Sequence, residues 1–135
     1  MTAGLFGYCM PNPKNLVLIT VDSLRADYCG FLSDDQEATP KLTRHLEEDG
    51  VIFENAIAPG PSTHISMPAV FSGSMPSTPP GTFAKREQVR SHLSAHRTIQ
   101  ERLSSNGYST AGFTPNPFTS REFGYNQGWD EFQDY

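Results

Sequence analysis

Cysteine is scarce in this sequence. Only Cys9 and Cys29 occur among 135 residues. Two cysteines cannot form the network of disulfides that stabilises small secreted domains. Their scarcity therefore favours a reducing compartment and predicts no redox role for either thiol.

The sequence also lacks long apolar runs and clusters of basic residues. No apolar stretch approaches the roughly 20 residues that a membrane-spanning helix needs. Residues 1–12 have neither the basic start nor the apolar core of an export signal. We therefore expect a cytoplasmic protein with no membrane segment in this chain.

The net charge of the chain is negative. Ten Lys and Arg against 15 Asp and Glu give a net charge of −5, which argues against nucleic acid as the main partner. The sequence leaves the oligomeric state open.

An unbroken apolar run near the start of the chain is its most informative feature. Residues 15–27 read NLVLITVDSLRAD, so the run ends at Asp22. A continuous Leu, Val and Ile run is typical of a strand buried on both faces of a parallel sheet. Ligands of such sheets bind at the carboxyl ends of the strands, where Asp22 is placed.

The remaining pattern alternates strands and helices. Turn and capping residues such as Thr39-Pro40 and Gly50 separate the segments. We expect strands at residues 16–21, 51–57 and 108–113, and helices at residues 41–49, 64–72 and 92–106. The order predicts an α/β fold, a three-layer α/β/α arrangement around a mostly parallel sheet. Residues 1–14 are predicted to be a leader, and residues 15–135 to form the domain.

A second candidate site follows the predicted second strand. Ser62 and Thr63 come directly after the turn at residues 59–61 and begin a predicted helix. A hydroxyl there is a plausible nucleophile toward an ester of phosphate or sulfate if a divalent metal held by Asp22 activates it. The simpler alternative is that Ser62 or Thr63 only caps the helix. We predict that Asp22 and Thr63 converge on one divalent ion.

These segments resemble the N-terminal third of the sulfatase family, within the alkaline phosphatase superfamily. The resemblance rests on four stretches in register: residues 15–27, the Ala38-Thr39-Pro40 helix start, residues 51–58 (VIFENAIA), and the closing pair 106–113 and 124–132. Members of the superfamily cleave sulfate, phosphate and phosphonate esters. The resemblance therefore implies an alkaline-phosphatase-like fold and a small-molecule ester as substrate.

The resemblance also assigns roles to individual residues. It makes Asp22 a ligand of a divalent metal ion, which could be Ca, Mg, Mn or Zn. Ser23 stands where sulfatases usually have a second Asp ligand; it contributes a neutral oxygen or is a turn residue. Thr63 stands at the position of the cysteine that sulfatases convert to formylglycine, and is both the predicted nucleophile and a metal ligand. His64 and Asn116 are the predicted substrate-binding residues.

Two departures from the sulfatase pattern leave the function open. The signature C-x-P-x-R is replaced by residues 63–67, THISM, which lack the modifiable Cys and the Arg. Residues 63–68 instead resemble the T-x-x-S-x-P run of phosphoethanolamine transferases, in which Thr takes the phosphoryl group. The later metal ligands of the family are also absent, so we expect a truncated, inactive fragment of a longer protein. The chain is thus a sulfatase-like hydrolase, a phosphoethanolamine-type transferase, or a non-catalytic remnant.

Overall fold

The computed structural model describes residues 14–33, 38–76 and 85–135. The chain divides into two compact units, Met1–Ile52 and Phe53–Tyr135, here called the N-terminal and C-terminal units. The predicted leader, apart from Lys14, lies outside the described residues, as does Cys9.

In the N-terminal unit, a short 3₁₀ helix, Ala26–Tyr28, precedes helix α1, Pro40–Asp49. Proline suits the first helical position because its missing N–H would have no intrahelical partner there. The Gly50 N–H donates to the Leu46 carbonyl at 2.9 Å and ends the helix. The predicted helix at residues 41–49 is therefore confirmed.

Two of the three predicted strands are wrong. Residues 16–21 and 51–57 have no regular secondary structure. Their large apolar side chains other than Ile52 are exposed, from 50% for Leu18 to 91% for Ile57. A strand requires a neighbour that pairs with its N–H and C=O groups, and neither segment belongs to a sheet in the described part of the chain. An apolar run shows that a segment can be buried, but it does not provide the neighbouring strand with which that segment would pair.

The C-terminal unit begins with helix α2, Thr63–Ser72, followed by helices α3, Lys85–Ala95, and α4, Ile99–Ser104. Helix α2 confirms the prediction at residues 64–72. The single helix predicted at residues 92–106 is instead two helices. Thr98 interrupts it, because its backbone N–H donates to the Glu101 carboxylate at 2.8 Å and starts a new helix.

The described sheet consists of two parallel strands, β1, Ala111–Thr114, and β2, Glu131–Asp134, paired from Ala111 with Glu131 to Thr114 with Asp134. Strand β1 overlaps the prediction at residues 108–113 but begins three residues later. Before it, the Thr110 N–H donates to the Asp130 carboxylate at 2.7 Å. Strand β2 was not predicted, because its segment resembles a turn of the sulfatase family. A sheet of two strands is too small to establish the predicted three-layer α/β/α arrangement.

The core of the C-terminal unit lies between α2, α3 and the C-terminal segment. Val89, Leu93 and Tyr125 are buried at its centre, and four partly buried apolar side chains pack around them: Met67, Phe71, Phe123 and Phe132. Two 3₁₀ helices, Pro117–Thr119 and Arg121–Phe123, pack against α2 and α3 respectively. In the residues that the structure describes, no helix is long and apolar enough to cross a bilayer.

Candidate functional site

Asp22 and Ser23 form a turn in the N-terminal unit. Both side chains are exposed, and the Ser23 hydroxyl donates to Asp22 Oδ1 at 3.3 Å. Ser23 has a φ of 61°, a left-handed conformation that is uncommon for residues other than glycine. Ser23 therefore lies in a turn with its hydroxyl beside the carboxylate, and its role as a metal ligand stays a prediction.

The predicted local contact between Arg25 and Asp27 follows this turn. Arg25 Nη2 lies 2.6 Å from Asp27 Oδ2, and Nε lies 2.9 Å from Oδ1. The hydrogen bond from Arg25 lowers the pKa of Asp27. This bidentate pair occupies the Asp27 carboxylate, which leaves Asp22 as the carboxylate to consider for a metal in this segment.

The start of α2 places Thr63 at the first helical position. Ser62 precedes it with an extended backbone, and the Ser62 carbonyl accepts the Ile65 and Ser66 N–H groups, each at 3.0 Å. The Ser62 side chain makes no capping hydrogen bond. The alternative that Ser62 caps the helix through its side chain is therefore not supported, and the role of the Thr63 hydroxyl stays a prediction.

Gly60 and Ser66 fix the turn that leads into α2. The Ser66 hydroxyl donates to the Gly60 carbonyl at 2.8 Å. A Cβ atom at Gly60 would lie 2.5 Å from Cγ2 of Ile65, so the helix packs directly on the glycine backbone. The turn therefore holds Thr63 in a defined place relative to residue 60.

His64 is held by two aromatic rings. Its imidazole centroid lies 4.7 Å from the Phe118 ring and 5.4 Å from the Phe123 ring. The side chain is half-buried. The sequence could not indicate this contact, because it forms only when the 3₁₀ helices pack beside α2.

Lys85 is the positive charge that acts on His64. Partial burial lowers the pKa of His64, and the Lys85 ammonium lowers it further, so the imidazole is neutral at pH 7. Contacts on the neighbouring residues agree with this placement. Arg86 lies 3.7 Å from Glu122, and Phe123 is the next residue and touches His64. The N-terminal end of α3 therefore lies near the start of α2.

Asn116 lies on the side of the C-terminal unit that faces α2. Its Oδ1 atom accepts the Phe118 N–H at 2.9 Å and begins the 3₁₀ helix Pro117–Thr119, which packs against α2. Since Phe118 contacts His64, the structure brings the two predicted substrate-binding residues into one neighbourhood, linked through this ring.

The structure also identifies residues that the sequence did not single out. Lys85, Phe118 and Phe123 surround His64, but only helix packing brings them together, so no short motif could have indicated them. His92 and His96 are also half-buried. The Ser72 hydroxyl lies 2.9 Å from His92 Nε2, which explains the burial of His92.

The described residues do not form a complete metal centre. No group of three His, Cys, Asp or Glu side chains gathers anywhere in residues 14–33, 38–76 or 85–135. The exposed Asp22 carboxylate and the Ser23 hydroxyl have the oxygen chemistry that hard divalent ions prefer, so they suit such an ion as a partial ligand set. Asp22 and Thr63 belong to different compact units, and their sharing of one ion stays a prediction.

Comparison with known proteins identifies a family. A family model described as Sulfatase matches residues 14–135. A search of curated proteins and a search of solved structures each gave no significant match. The family match begins at the segment that carries Asp22 and continues through α2 to β2, so it includes every candidate residue described above. Because it spans most of the sequence, the chain belongs to the sulfatase family.

Proposed function

We propose that this chain carries part of the catalytic site of a metal-dependent ester hydrolase in which Thr63 is the nucleophile. Sulfatases act on sulfate esters, generally with divalent metal ions, and share the alkaline-phosphatase-like α/β fold. The observation that carries the proposal is the position of Thr63 as the first residue of α2. We further propose that residues 15–135 contribute to a three-layer α/β/α domain.

The start of α2 is a suitable place for an anionic ester. The first N–H groups of a helix have no intrahelical acceptor, and the helix dipole is positive at that end. Lys85 adds a positive charge close enough to affect His64. A neutral His64 can form a hydrogen bond with an oxygen of the ester. Asn116 is the second proposed substrate contact.

The proposed reaction uses the Thr63 hydroxyl. Its oxygen attacks the phosphorus of the ester, a new Thr63 Oγ–P bond forms, and the bond to the alcohol breaks. The hydroxyl proton passes to solvent, and the leaving alkoxide takes a proton from water. Attack by water then releases phosphate and restores Thr63. Asp22, with Ser23 beside it, is the proposed ligand of a divalent ion, whose chemistry is to lower the pKa of a coordinated hydroxyl.

The presence of Thr63 favours phosphate or phosphonate esters over sulfate esters. A sulfatase releases sulfate from its modified cysteine through the second hydroxyl of an aldehyde hydrate, and threonine cannot form that hydrate. A phosphorylated threonine can be hydrolysed directly. We therefore propose a phosphate-directed member of the family.

The second candidate is a phosphoethanolamine-type transferase, in which an alcohol takes the phosphoryl group from Thr63. The T-x-x-S-x-P spacing of residues 63–68 supports it. The structure gives Ser66 and Pro68 local roles in that run: Ser66 bonds the Gly60 carbonyl, and Pro68 is buried inside α2. A non-catalytic remnant of the family is the third candidate, which predicts no turnover at all.

Paired substrates test the proposal. The full-length product of the gene is assayed with an aryl phosphate and the matching aryl sulfate, each with Mg, Mn, Ca or Zn, and with an amino alcohol as acceptor. We expect phosphate cleavage that Thr63→Ala abolishes. Ser62→Ala is the matched control and keeps activity, because the Ser62 hydroxyl makes no capping hydrogen bond. Sulfate cleavage that survives Thr63→Ala contradicts both the nucleophile and the substrate preference.

A further inference from the structure

A cluster of Ser72, His92 and His96 joins the C-terminal ends of α2 and α3. The Ser72 hydroxyl lies 2.9 Å from His92 Nε2. The His92 and His96 rings are stacked, with their centroids 4.3 Å apart and their planes inclined by 27°. His96 Nδ1 lies 2.8 Å from the His92 carbonyl at the end of α3. This cluster has no part in the function proposed for Thr63.

Hydrogen bonds fix which nitrogen carries the proton in each neutral ring. Ser72 Oγ has one proton, and its shortest contact to an acceptor is 2.7 Å, to the Pro68 carbonyl. When the hydroxyl donates to Pro68, Ser72 accepts from His92 Nε2, and His92 Nδ1 keeps the lone pair. A carbonyl only accepts, so His96 Nδ1 also carries a hydrogen. Each ring can gain one more proton, at His92 Nδ1 and His96 Nε2.

The stacked arrangement opposes an extra proton on His92. A positive His92 would face a charged His96 across the stack, where like charges repel. Burial, together with the charge of His96, lowers the pKa of His92, although the Ser74 carbonyl opposes this shift. The cluster thus tolerates one proton better than two.

We propose that the stacked His92 and His96 form an acid-sensitive latch that holds the C-terminal end of α2 against α3. Ser72 connects the stacked pair to α2. In acid, charging of His92 beside His96 places like charges across the stack and forces the rings apart. Release loosens the helix that carries Thr63 without involving Thr63 itself.

The charged groups around α3 do not neutralise the pair. Helix α2 contributes no ionisable side chain other than His64, which lies at its opposite end and contacts Phe118 and Phe123. From the 3₁₀ helix that packs on α3, the Arg121 and Glu122 carbonyls accept from Arg90, and the Glu122 carboxylate faces Arg86. On α4, the Glu101 carboxylate accepts from Thr98 and Gln127. In the described residues, none of these carboxylates is bonded to His92 or His96.

The sign of the pH dependence follows from the lowered pKa of His92. The unfolded chain binds a proton at this histidine near pH 6.5, whereas the folded chain resists it until lower pH. The stabilising contribution is complete above about pH 6.5 and is lost as the pH falls through the folded pKa.

The test is a titration of the whole chain from about pH 8 to about pH 5, with each imidazole followed by NMR and the free energy of unfolding measured in urea. We expect His92 to titrate below the ordinary histidine pKa of about 6.5, and stability to fall in acid. His96→Gln should raise the pKa of His92, flatten the acid loss of stability, and slow amide exchange of the last turn of α2. His45→Gln, on α1, is the matched control and leaves these quantities unchanged.

The wild-type titration alone can overturn the proposal. A His92 pKa at or above the ordinary histidine value of about 6.5 contradicts it, whether or not the variants fold. An acid loss of stability that is the same in His96→Gln as in the wild type also contradicts it. Neither result bears on Thr63, so the latch and the proposed function fail separately.

Discussion

At the scale of single residues, Thr63 carries the chemical argument. It lies at the first position of α2, and the sequence resemblance predicts that this is the position of the modifiable cysteine of sulfatases. The residues that fix its position make contacts within the protein only. Ser62 supplies the carbonyl that starts the helix, Ser66 bonds the preceding turn, and Gly60 allows close packing. Contacts within the protein, made by Ser62, Ser66 and Gly60, therefore fix the position of Thr63 without any bound substrate.

The buried hydroxyl of Tyr125 allows the stability of the core of the C-terminal unit to be tested with a single substitution. Its side chain is 2% exposed, and its hydroxyl has no hydrogen-bond partner among the described residues. Burial raises the pKa of this phenol. Tyr125→Phe should raise the free energy of unfolding by about 1–3 kcal/mol, the usual cost of an unsatisfied buried polar group, as measured in urea. Tyr28→Phe, at an exposed tyrosine, is the control; a stability loss at Tyr125 would contradict the expectation.

Short-range features of the candidate site were predictable from sequence, whereas long-range ones were not. The Asp22–Ser23 turn and the Arg25–Asp27 pair depend on neighbours within two residues, which the sequence displays directly. The contacts of His64 with Phe118 and Phe123 join residues more than 50 positions apart. They depend on helix packing, and no local pattern encodes them.

At the scale of elements, helices were predicted better than strands. Capping residues such as Pro40 and Gly50 act within one turn, so they fix the ends of α1. The strands at residues 16–21 and 51–57 failed because strand formation depends on a distant partner. The division between α3 and α4 was missed because Thr98 and Glu101 form a local helix start inside an otherwise helical pattern.

The entrance to α2 depends on the absence of a side chain at Gly60. A Cβ atom there would meet Ile65 at 2.5 Å, so Gly60→Ala should lower the free energy of unfolding by about 1–3 kcal/mol, as overpacking does. A double-mutant cycle in urea checks the cause. In an Ile65→Ala background the cost of Gly60→Ala should shrink, and an unchanged cost would show that the contact is not responsible.

The start of α4 predicts a separate pH effect. Burial raises the pKa of Glu101, but hydrogen bonds from Thr98 and Gln127 outweigh burial and leave it below its ordinary value. Glu101→Gln should therefore lower stability at neutral pH by about 1–3 kcal/mol. This difference should diminish as the pH falls below about 4.5, where the carboxylate becomes protonated.

Urea unfolding of both proteins at several pH values measures the effect of Glu101. Glu87→Gln is the matched control, because Glu87 is an exposed carboxylate on α3 with only a 4.0 Å contact to Arg86. An equal loss of stability in the two variants would show that the hydrogen bonds of Glu101 contribute nothing specific.

At the scale of the whole molecule, the sulfatase family match covers candidate site residues from both units. The N-terminal unit holds the turn with Asp22, and the C-terminal unit holds Thr63, His64, Lys85 and Asn116. The sequence resemblance predicted the family correctly from four stretches in register, and the family match over residues 14–135 confirms it. The α/β class was also predicted. The three-layer architecture remains a prediction because the described sheet has two strands.

The most direct test of the account is to identify the residue that becomes phosphorylated. The full-length gene product is mixed with an aryl phosphate, quenched in acid while turnover proceeds, and digested for peptide mass spectrometry. The account predicts a phosphoryl group on Thr63, and none anywhere in Thr63→Ala. Release of the aryl alcohol with the label on another residue, or no label and no release with any of the four metals, would contradict it.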